Sequence, residues 1–195
     1  LKQHPIEIIK NGIDRTIFQP TFSDFKRSHG IEGKYIVLGV ASPWSERKGL
    51  QDFVDLSTRL GSEYVVVLVG VDPGLARSLP SSFVSVPRTE SLRELASIYS
   101  ASDAFFNPTY EDNYPTTNLE AICCGTQVVT YDTGGSPESV SIGAGAVVPK
   151  GDIPGAAWAI RAICEAKMRT DSHKPELSKE QMSREYLRLY DRLSS

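Results

Sequence analysis

Apolar residues along this chain come in short dense runs separated by segments of helical period, the pattern of a sheet covered on both faces. Residues 34–39 and Tyr64–Val69 are near-continuous apolar runs rich in β-branched side chains, so each predicts a strand buried on both sides. Residues 83–86, 103–107, 127–131 and Gly145–Val148 predict four more. Pro5-Ile-Glu-Ile-Ile9 predicts a further short strand, closed by an Asn11-Gly12 turn that tolerates positive φ. From Lys48 the period becomes helical, with Leu50, Phe53, Val54 and Leu60 on roughly one face. Leu92, Leu95 and Tyr99 are spaced as a core-facing stripe, residues 117–124 form another helix, and Trp158, Ile160 and Cys164 sit in a third. After a polar stretch, Ser178-x-x-Gln181 has capping-box spacing and opens a last helix over 178–193. Its apolar stripe is Met182, Tyr186, Leu189, Tyr190 and Leu193. This alternation predicts an α/β fold, a doubly wound, Rossmann-like parallel sheet in a single domain over 1–195.

Composition narrows the class. A net charge of −3 gives no electrostatic case for nucleic acid or an anionic membrane. Three cysteines make no disulfide framework and fit a reducing compartment, and Cys123 and Cys124, inside an apolar helix, read as packing residues. No apolar run reaches membrane-spanning length and the first residues do not read as a signal peptide, so the expectation is a cytosolic-type domain. The first residue is Leu1, which suggests a piece cut from a larger protein. His4, His29 and His173 lack metal-ligand spacing, and no Cys–His arrangement suggests zinc. The phosphate loops of dinucleotide oxidoreductases and P-loop NTPases are absent.

In sheets of this kind ligands bind beyond the carboxyl ends of the strands, and the polar motifs fall there. Ser42-Pro-Trp-Ser-Glu-Arg47-Lys48-Gly49 leaves a strand and enters a helix; its backbone N–H groups, with Arg47 and Lys48, suit a diphosphate. The bland alternative is a solvated basic pair. Thr109-Tyr-Glu-Asp-Asn-Tyr-Pro-Thr-Thr-Asn-Leu-Glu120 places Glu111, Asp112 and Asn113 in a loop and Glu120 in the helix that follows. A carboxylate can accept from both hydroxyls of a ribose diol, yet Thr117-x-x-Glu120 is itself a capping box, and the residues alone leave these readings even. Gly134-Gly135-Ser136-Pro137 reads as a turn with a Ser cap, and Arg88 follows another strand end, either stacked on a base or in solvent.

The order of these motifs resembles the C-terminal, donor-binding half of retaining glycosyltransferases of the GT-B fold, family four. The resemblance runs from Asn11-Gly-Ile-Asp14 through Arg47-Lys-Gly-Leu50, Ile98-Tyr-Ser-Ala-Ser-Asp103 and the acidic segment to Gly134-Gly-Ser-Pro-Glu138. It implies transfer of a hexosyl unit from a nucleoside diphosphate sugar to a glycan or lipid-linked acceptor, by a front-face path. Neither cofactor nor metal is implied, the nucleotide sugar being substrate. Arg47 and Lys48 would hold the diphosphate, Asp112 the donor sugar and Glu120 the ribose. Asn113, Tyr114, Thr116, Thr117, Gly134 and Gly135 would line the same crevice, and Arg88 would lie near the base. Two positions depart from the family pattern. Gly39 is followed by Val40 where the family has Arg, so Arg47 stands in for it, and Asp112 replaces the first Glu of Glu-x7-Glu. Pro115 also lies in the run of sugar-binding backbone donors and has no N–H to give. The Asp-Asn-Tyr-Pro-Thr-Thr segment looks like enzymes of bacterial capsule, exopolysaccharide or O-antigen assembly. The acceptor would be bound by a missing N-terminal domain, so this chain is expected to bind nucleotide without transferring sugar, in the cytoplasm. Any contact with the inner membrane face would come through that missing half, and no nucleic acid is expected. The alternatives are a non-catalytic donor-binding module, with Asp112 as the sign of decay, or another GT-B enzyme such as an epimerase or phosphorylase.

Overall fold

A computed structural model describes residues 6–142 and 145–194. Six strands form one parallel sheet: β1 (Tyr35–Val40), β2 (Tyr64–Val69), β3 (Val84–Val86), β4 (Ala104–Asn107), β5 (Gln127–Tyr131) and β6 (Gly145–Val148). Their spatial order is β3-β2-β1-β4-β5-β6, and every pairing is parallel. Helices α1 (Phe25–Ser28), α2 (Leu50–Ser57), α3 (Pro73–Ala76), α4 (Leu92–Ala101), α5 (Thr116–Cys123), α6 (Ser136–Ile142), α7 (Ile153–Glu165) and α8 (Lys179–Ser194) complete the chain. The expected doubly wound α/β sheet is what forms.

The apolar runs of β1, β2, β4 and β5 are buried because the sheet is packed on both faces. On one face Phe25 of α1, Ala96 and Tyr99 of α4, and Leu119 and Ile122 of α5 form one core. On the other, Phe53 and Leu56 of α2 and Ala156 and Ile160 of α7 form a second. Local signals set the helix starts: Ser91 accepts from the Glu94 N–H at 3.2 Å, and Asp152 accepts from Gly155 at 2.9 Å. Asp103 stitches the strand starts, its Oδ2 accepting from the Ile36 N–H and from Lys26 Nζ, both at 2.8 Å. Its segment, Ile98-Tyr-Ser-Ala-Ser-Asp103, thus carries structure at that end.

Four expectations are corrected. Residues 6–10 form no strand and join neither edge of the sheet: Ile6 and Ile8 are 90% and 81% exposed, and the edge strands are β3 and β6 (Pro5 lies outside the described residues). Gly12 does not adopt positive φ; it is required by close approach, since a Cβ there would sit 2.3 Å from the Ser178 carbonyl oxygen. There the chain start is pinned to the start of α8, Ile13 donating to Leu177 and Lys179 donating back to Ile13. Leu92 is exposed, at the first turn of α4, and the buried face of that helix is Ala96, Ile98 and Tyr99. The capping bond of α8 forms, Gln181 N–H to Ser178 Oγ at 3.1 Å, but its apolar stripe lies open, with Tyr186, Tyr190 and Leu193 all exposed. Among the described residues no helix is long and apolar enough to cross a membrane.

Candidate functional site

The strand order reverses between β1 and β4, so the loops leaving those two strands flank a crevice at the carboxyl rim of the sheet. After β1 the chain makes a single 3-10 turn, Glu46–Lys48, and Gly49 takes left-handed φ before α2. Gly49 allows the two loops to meet: a Cβ on it would lie 2.3 Å from the Pro108 carbonyl oxygen. The Tyr110 N–H donates to the Arg47 carbonyl at 2.8 Å, and Arg47 Nη1 donates to the Glu111 carbonyl at 3.4 Å. Lys48 Nζ reaches Asp112 Oδ2 at 2.9 Å, both side chains largely withdrawn from solvent at 26% and 19% exposure. Two candidates from separate motifs, 64 residues apart, are therefore one ion pair across the switch point.

The turn after β5 fixes the acidic loop from the other side. Gly135 N–H donates to the Asp112 carbonyl at 3.1 Å, and Thr133 Oγ1 donates to the Thr109 carbonyl at 2.8 Å. A Cβ on Gly134 would sit 1.9 Å from the Asp112 oxygen, and one on Gly135 would sit 1.8 Å from the Asn113 oxygen. These are backbone atoms, which yield only by moving the loop. Gly135→Ala is expected to shift residues 112–113 and lower the melting temperature by about 2–8 °C, read in a thermal melt beside the wild type. The expected Ser136 cap is not formed. Ser136 lies inside α6, and its buried Oγ has no hydrogen-bond partner among the described residues.

Helix α5 starts at this rim behind Pro115, whose side chain offers no cap. A buried chain of hydrogen bonds holds it in place: Asn107 Nδ2 donates to Asn118 Oδ1 at 2.8 Å, and Asn118 Nδ2 donates to Ser139 Oγ at 2.8 Å. The Thr117-x-x-Glu120 capping box does not form, because Thr117 is already the second residue of the helix. Glu120 instead accepts a hydrogen bond from Tyr99 of α4 at 3.0 Å. Burial pushes its carboxyl up to about 7, and the Tyr99 bond opposes that rise.

The remaining candidates spread along the rim. Asn113 and Thr116 are exposed, and Thr117 is half-buried. Tyr114 is half-buried with Lys10 Nζ 5.6 Å from its ring centre, and its hydroxyl has no partner among the described residues. Arg88 is exposed in the loop after β3, two strands from β1.

Sequence reasoning missed an adjoining group. An open cavity of about 990 Å³ is lined by Arg47 and Glu111 and also by Asp52, Tyr110 and Lys150. Asp52 is only 7% exposed; it accepts from the Tyr131 hydroxyl at 2.8 Å and from the Tyr110 hydroxyl at 3.2 Å, while Lys150 Nζ lies 4.8 Å over the Tyr110 ring. Burial raises the Asp52 carboxyl above its usual range and the two tyrosine bonds oppose it. The one sequence signal was a carboxylate one residue before the buried Phe53. Among the described residues, no group of three or more His, Cys, Asp and Glu is placed to hold a metal ion.

The family described as Glycosyl transferases group 1 matches residues 34–166. N,N'-diacetylbacillosaminyl-diphospho-undecaprenol alpha-1,3-N-acetylgalactosaminyltransferase of Campylobacter jejuni is 29% identical over 152 residues, covering 72% of this chain and 40% of its own length. Sucrose-phosphate synthase from Thermosynechococcus elongatus superposes with a TM-score of 0.81 at 24% identity, over 96% of this chain and 52% of that one. Anabaena HepE in complex with UDP-glucose superposes with a TM-score of 0.80 at 16% identity, over 95% and 57%. These likenesses show the fold. The chain spans about 40% of the length of the curated relatives it matches.

Proposed function

The chain belongs to the group 1 glycosyl transferases, and on that premise we propose that it is the donor-binding domain of a retaining glycosyltransferase. The full protein moves a hexosyl unit from a nucleoside diphosphate sugar to a glycan or lipid-linked acceptor. One observation carries the reading: the Lys48–Asp112 pair closes over the switch point of the sheet, next to the start of α5. A diphosphate placed there meets the Lys48 ammonium, the Arg47 guanidinium and the unpaired first N–H groups of α5 at Thr116 and Thr117. The same groups stabilise the charge that grows on the diphosphate as the sugar leaves. Asp112 and the Asn113–Tyr114 backbone take the sugar hydroxyls, Glu120 takes the ribose, and Arg88 flanks the base. Gly134 and Gly135 hold the acidic loop in place.

That HepE was crystallised with UDP-glucose and with UDP supports a nucleotide sugar as ligand. The greater length of the relatives supports a further domain that binds the acceptor. Calorimetric titration of this chain with UDP, GDP, ADP and their sugars tests the reading. We expect saturable binding of one nucleotide, lost in Lys48→Ala and Glu120→Ala. Binding that survives both substitutions, or no binding to any of the three by this chain and by a longer chain containing it, overturns it.

A further inference from the structure

Tyr99 is fully buried, yet it carries a hydroxyl. Its ring is clamped edge-on between Phe105, with centres 5.4 Å apart, and Phe18, at 6.3 Å. Its backbone carbonyl accepts from Thr126 Oγ1 at 2.6 Å. A phenol held this firmly is a fixed donor, and burial keeps it protonated by raising its pKa well above the ordinary value. It donates to Glu120 Oε2 at 3.0 Å, while Oε1 has no protein partner among the described residues. Packing alone would be served by phenylalanine.

From this geometry we infer that Tyr99 is a positioning residue for ribose recognition: its hydroxyl turns Glu120 so that the second carboxylate oxygen faces the diol. The inference rests on the donor-site reading and adds to it a residue that never touches the ligand. Tyr99 also favours the ionised form of Glu120 against its burial. Among the described residues Cys123 and Cys124 also feel Glu120, and burial pushes their thiols up to about 11 and about 12, so both stay neutral near pH 7; Arg15 and Glu176 face Cys123.

The test compares the wild type with Tyr99→Phe, which keeps the ring. Each is titrated, from pH 6 to pH 9, with the nucleoside diphosphate that this chain binds and with its 2′,3′-dideoxy analogue. Losing one charge-assisted hydrogen bond raises the Glu120 pKa by about one unit. Tyr99→Phe should then bind the ribonucleotide more weakly by about tenfold or more at pH 6–7, where the pKa and the lost orientation act together. It should still bind about threefold more weakly at pH 9, where Glu120 is ionised in both proteins and only its orientation differs. The dideoxy analogue should bind both proteins equally. Equal losses for both nucleotides, no loss at pH 6–7, or a loss that vanishes at pH 9 overturns the inference and leaves the donor site standing. A wild type that does not prefer the ribonucleotide overturns the Glu120 assignment and Tyr99 with it. Should Tyr99→Phe fail to fold, the wild-type preference for ribo over dideoxy must fall below about pH 7; a flat preference is again fatal.

Discussion

Lys48→Ala is expected to weaken nucleoside diphosphate binding by about two orders of magnitude, the largest single loss at the site. Two effects add. The ammonium's charge-assisted hydrogen bond to phosphate is worth roughly 1.5–3 kcal/mol. Its removal also leaves Asp112 as a partly buried carboxylate without its counter-ion, beside an incoming dianion. Two negative charges about 4–6 Å apart repel by a few kcal/mol at the effective dielectric of a protein surface, part of which salt screens. The second effect separates this site from a mere basic patch. Adding Asp112→Asn to Lys48→Ala should recover about tenfold, because it removes the repulsion without restoring the cation. A double variant that binds no better than Lys48→Ala would mean that Asp112 does not face the phosphates. The same titration at high salt should shrink the gap between the single and double variants.

The ion pair was not legible in the sequence, although both partners were. Strand ends mark the rim of a doubly wound sheet, so Lys48, Asp112, Glu120 and the Gly134–Gly135 turn could be placed there from apolar runs alone. Which side chain meets which depends on register and helix orientation that no local pattern contains. Asp52 and Tyr131, 79 residues apart, show this most plainly. Tyr64–Val69 and Gln127–Tyr131 were readable to the residue, because a strand covered on both faces shows as a short run dense in β-branched and aromatic residues. The run at 6–9 is short, carries Glu7 and forms no strand; an apolar run of this kind reports strand propensity and not whether a partner strand lies beside it. The α8 stripe was readable as a helix but not as exposed; amphipathicity reports a face, not what covers it. Thr117-x-x-Glu120 misled for the opposite reason. A local capping pattern was overridden when Pro115, two residues before Thr117, took the N-cap position and Tyr99 claimed the carboxylate.

Glu120→Gln should separate stability from function. The Glu120 carboxyl titrates at about 7 in the folded chain against an ordinary value of 4.5, raised by burial. The folded state thus holds this proton more tightly than the unfolded state does. The stability it contributes is fully present below about pH 4.5 and is lost as pH rises through about 7. At pH 8 the wild type therefore carries a buried charge costing on the order of 2–3 kcal/mol relative to a neutral group there. Glutamine is neutral at every pH and keeps an oxygen for the Tyr99 hydroxyl. Glu120→Gln should match the wild type near pH 4.5 and melt about 5–10 °C higher at pH 8. Its nucleotide affinity should fall about tenfold or more at pH 8, because an amide oxygen is a weaker acceptor than a carboxylate for a paired diol. Thermal melts across pH, with titrations on the same protein, decide both halves. Equal stability at pH 8 would show that burial does not strain this carboxyl, and unchanged affinity would remove Glu120 from the ribose. A gain in one with a loss in the other is what a charge kept buried for its ligand produces, since removing it relieves the fold and leaves the diol without its acceptor.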